Sequence, residues 1–198
     1  MVYAPLNCNM GREDRPDNGD YFEDRFRGDI LSQGDLFADA PRTYAGLAEE
    51  VVVDGPDGGR RFLSGPLQPG LALLITPSCS MGGGDGAEYS HPVRTLVPIV
   101  PLQELVDRDV LTQDQVRTAR RYDGLINYMV IPSSAGIGLP ESLALLYMPF
   151  TVDHQLLMAT ARRVAQLTLT GAQQLQRKLA WYWSGFQLDR GSFRPPMD

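Results

Sequence analysis

Two overlapping stretches carry the residue types that could do chemistry. The first is Thr76-Pro-Ser-Cys-Ser80, with the glycine-rich Met81-Gly-Gly-Gly-Asp-Gly86 behind it and His91 and Arg94 a few residues on. Cys79 is a nucleophile only as a thiolate, and a thiolate at neutral pH needs a nearby base or cation. His91 or Arg94 could supply that across the loop, but no third residue to orient the base is identifiable. Cys79 reads equally well as a small apolar side chain closing the end of a strand. The second stretch is Arg94-Thr95, a guanidinium beside a hydroxyl, the pairing that stabilises charge at a phosphodiester transition state. As a strand residue, Arg94 reads equally well as a salt-bridge partner.

Other polar signals are weaker. The run Ser80 to Gly86 contains neither GxxxxGK[ST] nor a GxGxxG between a strand and a helix, so it reads as a loop tip, not a phosphate cradle. Asp29 and Asp35 each follow a glycine and read as acceptors for turn amides. Arg120-Arg121 and Arg162-Arg163 read as solvated helix faces. Two cysteines (Cys8, Cys79) and two histidines (His91, His154) make no metal-ligand spacing, so neither a metal nor a cofactor is expected. A Cys8–Cys79 disulfide stays open beside two free thiols.

Of 198 residues, 43% are hydrophobic and 21% charged, the balance of one globular domain with a sizeable core. The start of the chain has no basic-then-apolar leader pattern, and no apolar run approaches the roughly 20 residues that span a bilayer, so a cytoplasmic protein off the membrane is expected. The net charge of −6 is uneven: 13 acids against 6 bases in residues 1–60, 8 against 6 in 61–150, and 3 against 6 in 151–198. That balance favours a protein partner or self-association over bulk nucleic-acid binding, which needs many bases.

The elements that must position these residues follow from pattern. Residues 1–27 lack an apolar period and read as an acidic extended arm, with Tyr21, Phe22 and Phe26 as anchors. Residues 28–152 read as a β-barrel domain. Gly34-Asp-Leu-Phe37 opens a strand, and Val51-Val52-Val53, a Gly-rich turn and Arg61-Phe-Leu63 form a hairpin. Leu71-Ala-Leu-Leu-Ile75 suits a strand buried on both faces, with Thr95 to Val100 as its partner. Pro98 cannot donate to a ladder and implies an edge, a bulge or an unpaired N–H there. Further strands are expected at 125–131 and 143–150. Thr112-Gln-Asp-Gln115 is a capping box that opens a short helical insertion near 112–121.

Residues 153–198 read as C-terminal helices and tail. Asp153 caps a helix to about Leu167, Thr170 opens a second, and Gly185 suits its end. On that second helix Ala172, Leu175, Leu179, Tyr182, Trp183 and Phe186 share one face, while Trp181 falls on the other beside Gln174, Arg177 and Lys178. Those last four form the expected binding patch, because tryptophan and basic residues often anchor interfaces.

The succession Gly28-Asp29, Gly34-Asp35-Leu-Phe, hairpin, Leu71-Ala-Leu-Leu-Ile-Thr-Pro-Ser-Cys79 and Arg94-Thr-Leu-Val-Pro-Ile-Val-Pro-Leu102 resembles the MazF/PemK toxin superfamily. The likeness is to a broad group of actinobacterial MazF-like proteins and covers about residues 28–102. It implies a fold mainly β with α: a small SH3-like, MazF-like β-barrel followed by a C-terminal helical pair. It also implies a dimer, and in toxic members cleavage of single-stranded RNA by an arginine near the first hairpin and a hydroxyl. Here Arg94, Thr95 and Arg61 would take those roles, without a metal. The chain departs from the toxins in having Pro69-Gly70 where an Arg-Pro pair enters the central strand, and in being longer and acidic. Three functions are carried forward. The first is a non-enzymatic interaction module in a defence, conflict or phage-related assembly. The second is a toxin-like endoribonuclease, and the third a cysteine-dependent enzyme on Cys79 and His91.

Overall fold

A computed structural model describes residues 21–23, 31–43, 49–53, 60–64, 67–78, 81, 92–121 and 124–184. The strands are β1 (Asp35–Thr43), β2 (Glu49–Val53), β3 (Arg60–Ser64), β4 (Leu67–Leu74), β5 (Val93–Pro101), β6 (Tyr128–Ile131), β7 (Ser142–Leu145), β8 (Phe150–Asp153) and β9 (Arg162–Gln166). The helices are α1 (Leu102–Asp107), α2 (Gln113–Ala119), α3 (His154–Thr160) and α4 (Leu169–Ser184). The fold is mixed α/β, built on a seven-stranded antiparallel sheet that does not close into a barrel. Its order is β6-β7-β5-β4-β1-β9, with β8 also on β5, while β2 and β3 form a separate two-stranded ribbon.

The apolar run of β4 does what its composition requires. Ala72 and Leu74 belong to one core and Leu73 and Ile75 to the other, so successive residues feed opposite faces of the sheet. One face packs on α4 through Leu175 and Leu179, and the other on α3 through Leu157. A third apolar cluster joins Leu105 of α1 and Val116 of α2 to Leu143 and Leu145 of β7.

Pro98 stands inside the sheet, opposite Ala72. Because the Ile75 amide donates to the Thr95 carbonyl, odd-numbered residues of β5 turn their polar groups to β4 and even-numbered ones away from it. On that second side β8 pairs with Val93 to Leu96 and β7 with Ile99 to Pro101. The missing proline N–H therefore falls in the gap between two partners, where no bond is lost.

Three expectations are corrected. The segment expected as one strand over 143–150 is divided: β7 ends at Leu145, a turn follows, and β8 starts at Phe150. Asp153 does cap a helix, its carboxylate accepting from the amides of Gln155 and Leu156, but that helix stops at Thr160. Residues 162–166 instead form β9, paired with β1, so no simple helical pair closes the chain. The capping box at Thr112 is present in full. The cap of α4 lies two residues earlier than Thr170: the Thr168 hydroxyl accepts from the Gly171 amide.

Two of the N-terminal anchors, Tyr21 and Phe22, dock on this chain itself, while Phe26 lies outside the described residues. Phe22 bridges Leu167, the Thr168 amide donates to the Tyr21 carbonyl, and the Tyr21 ring is buried in the α4-side core. At Gly34 the backbone has φ +97°, a conformation side chains disfavour, and a Cβ there would press on Leu167 at 3.1 Å. Both facts explain a glycine at the entrance to β1. A register shift between Phe37 and Ala40, with Asp39 at φ 59°, marks a bulge that bends β1 around the core.

Candidate functional site

Asp35 directly follows that glycine, and its carboxylate is fully buried. One oxygen accepts from the Ser32 amide at 2.8 Å, as expected of a turn acceptor, and the other from the Arg163 guanidinium at 2.7 Å. Arg163 also donates to the Gln166 side chain at 3.1 Å. Burial pushes the Asp35 carboxyl up to about 6, against the opposing pull of the Ser32 amide and Arg163. The pair ties β9 to β1, which is the work of a structural ion pair. Arg162-Arg163 is thus not a solvated helix face.

Arg94 and Thr95 are separated by strand alternation. Arg94 lies on the face of Leu96 and Val152, where its side chain is wholly enclosed and one nitrogen donates to the Val93 carbonyl at 3.3 Å. Beside it His154 opens α3; burial, and then the Arg94 charge, hold that imidazole below its ordinary pKa. Thr95 lies on the opposite face, with Val93 and Val97. The two side chains therefore cannot act on one phosphate from these positions. Arg61 stands in β3 at the register position opposite Val52. Cys8, Cys79, His91, Asp29 and Gly185 lie outside the described residues.

The C-terminal helix is rotated relative to expectation. Leu175 and Leu179 are buried as expected, but Lys178 is buried with them and its Nζ donates to the Leu125 carbonyl at 3.1 Å. Trp183, expected inward, is 62% exposed. Of the expected patch, Arg177 is exposed while Gln174 and Trp181 are half-buried. Lys178 lies closer to the centre of the Leu175–Leu179–Tyr182 stripe than Trp183 does. Its long apolar stem fills that space while its ammonium reaches a carbonyl.

What the helix does form is a cleft. Gln176, Leu179 and Trp183 make one wall, and Ile75, Thr76, Pro77, Val93, Thr95 and Gln33 the rest, around about 590 Å³ of space. Its floor is apolar, with Leu179 and Ile75 buried, and its rim holds two exposed apolar side chains, Trp183 and Val93 at 46%. The polar groups at its base are occupied with each other. The Gln33 amide side chain donates to the Ile75 carbonyl at 2.7 Å, and the Thr95 backbone amide donates to the Thr76 hydroxyl at 2.7 Å. Among the described residues no charged side chain lines it. The described walls suit an apolar group, held by shape and desolvation.

No cue in α4 alone could have located this cleft, because its walls come from four separated segments. Among the described residues, no three His, Cys, Asp or Glu side chains converge as a metal ion needs, and no helix is long and apolar enough to cross a membrane. No family model matches the chain, and no curated protein matches it.

Proposed function

We propose that this chain is a non-enzymatic interaction module that takes an apolar segment of a protein partner, or of a second copy, into the cleft beneath Trp183. The observation that carries the reading is the exposure of a tryptophan at the rim of a hollow whose described walls are apolar and carry no charge. An exposed apolar side chain that continues an apolar hollow marks an interaction surface as a lone one does not, and tryptophan is among the residue types most enriched at binding anchors. The enclosure of Arg94, with Thr95 on the opposite face, weighs against the endoribonuclease reading.

The MazF-like resemblance fits this reading as a related strand wiring, here left as an open sheet, kept for binding. A run β8-β5-β4-β1-β9, in which β9 comes back to pair with β1 after the helix α3, supports wiring of the small-barrel kind. On that view α1, α2, β6 and β7 are an insertion between β5 and β8. A place in a defence or phage-related assembly belongs to the same proposal.

Affinity selection of a random peptide library on the purified protein, with light scattering for self-association, tests it. Sequences rich in aromatic and aliphatic anchors should be enriched and should be lost with Trp183→Ser. A monomer at all concentrations that enriches nothing beyond the Trp183→Ser control overturns the reading, as does cleavage of single-stranded RNA abolished by Thr95→Val.

A further inference from the structure

α4 turns to solvent a stripe with the spacing of a helix-pairing face. Leu169, Gln173, Gln176, Ala180 and Trp183 follow one another at alternating intervals of four and three residues, and all five are exposed. None is charged, and α4 holds no acidic residue in a chain of net charge −6. The large apolar members stand at the two ends, Leu169 at 71% exposure and Trp183 at 62%. Gln176 lies midway, about 10 Å along the helix axis from each. Two of the five, Gln176 and Trp183, also line the cleft.

Such a stripe is complementary to itself. A two-fold axis at Gln176 sets two copies of α4 antiparallel and carries Leu169 of each to Trp183 of the other. The two Gln176 side chains then meet, and each amide can donate to the other's carbonyl. Because α4 has no carboxylate, two acidic chains close on this face without bringing like carboxylates of the helix together. Arg177 is the exposed charge of α4 and stands about 100° around the helix from Gln176, at the wet edge of such a contact. There its repulsion with its own copy is screened by salt.

We propose, building on the cleft reading above, that α4 is a homodimer interface and that the apolar group taken beneath Trp183 is Leu169 of a second copy. Each copy gives a leucine and receives one, so the contact is closed and stops at two chains.

Sedimentation velocity of the full chain over a wide range of concentration is the direct measurement. A reversible monomer–dimer equilibrium is expected. Leu169→Ser and Trp183→Ser, both at exposed positions, should each weaken it by about ten-fold or more, the loss expected of an interface anchor. A strict monomer overturns the proposal, and so does a dimer indifferent to either substitution.

A second readout tests the axis. In a chain carrying Cys8→Ser and Cys79→Ser, Gln176→Cys should give a disulfide-linked dimer on mild oxidation, because the two-fold sets that position against itself. Arg117→Cys, at an exposed position of α2, should not. Equal cross-linking at both positions, or none at Gln176→Cys, sinks the two-fold contact. Peptide selection keeps this dimer apart from the cleft reading it builds on. Enrichment that depends on Trp183, by a chain that stays monomeric, removes the second copy and leaves the cleft to another protein's segment. A monomer that enriches nothing removes both.

Discussion

Asp35 shows how a residue can be read correctly as to role and still hide its energetics. Its place after Gly34 marked a turn acceptor, and the Ser32 amide bears that out. Nothing in the sequence near it announced Arg163, which comes 128 positions later. The carboxyl is raised from its ordinary 3.8 to about 6, so the folded protein holds this proton more tightly than the unfolded chain does. The resulting stabilisation is complete below about pH 4 and is lost as the pH rises through 6. Relative to Asp35→Asn, which does not titrate, the natural protein should lose about 2 kcal/mol of unfolding free energy between pH 4.5 and 7.5. Urea titrations of both proteins at the two pH values check this; a difference that stays constant, or moves the other way, contradicts it. Lys178 is a further buried charge, besides Asp35 and Arg94. Lys178→Met keeps the stem and loses the bond to the Leu125 carbonyl, and should cost about 1–2 kcal/mol in the same titration.

Elements were legible where a local signal coincided with the tertiary demand. The run Leu71 to Ile75 was apolar at every position because both faces of β4 are covered, and Thr112 with Gln115 specified a cap within four residues. Elements failed where long-range pairing decided the matter. Arg162-Arg163-Val-Ala-Gln166 carries no strong strand signal, and it is a strand because β1 offers a free edge and Asp35 a counter-charge. On α4 the helical period was correct and the phase was not, because a lysine stem occupied a stripe position that polarity alone assigns to solvent. The cleft went unseen for a related reason: its walls meet only after β4, β5 and α4 are packed. The phase is tested by two truncations. Leu179→Ala should cost roughly 2–5 kcal/mol, as buried leucines do, whereas Trp183→Ala should move stability by less than about 1 kcal/mol. Comparable losses in thermal unfolding would place Trp183 inside the fold and remove the rim of the cleft.

For the whole molecule, the question is what holds an open sheet in its curve. Its terminal strands in the pairing order are β6 and β9, and Tyr21 touches both. The Tyr21 carbonyl accepts from Thr168 just beyond β9, Glu23 donates its amide to Gln166 of β9, and the Tyr21 hydroxyl donates to the Val130 carbonyl of β6 at 3.4 Å. The ring between these bonds is 3% exposed and packs in the core that carries Leu175 and Leu179. A segment that the sequence assigned to an arm is thus the clasp between the two ends of the sheet. The anchor residues were visible, but which surface they anchored to was not. Tyr21→Phe gives up one long hydrogen bond and should cost about 1 kcal/mol or less. Tyr21→Ala empties the space between β6 and β9 and should cost about 3–5 kcal/mol, enough to threaten a domain of ordinary stability. The sharper readout is local. Hydrogen exchange at Tyr128 to Ile131 and at Arg162 to Gln166 should speed up together in Tyr21→Ala, ahead of β4, because the clasp joins those two edges and not the centre. Faster exchange at β9 alone would mean that Tyr21 merely extends that edge, and the curve of the sheet would then rest on α4 and the bulge in β1.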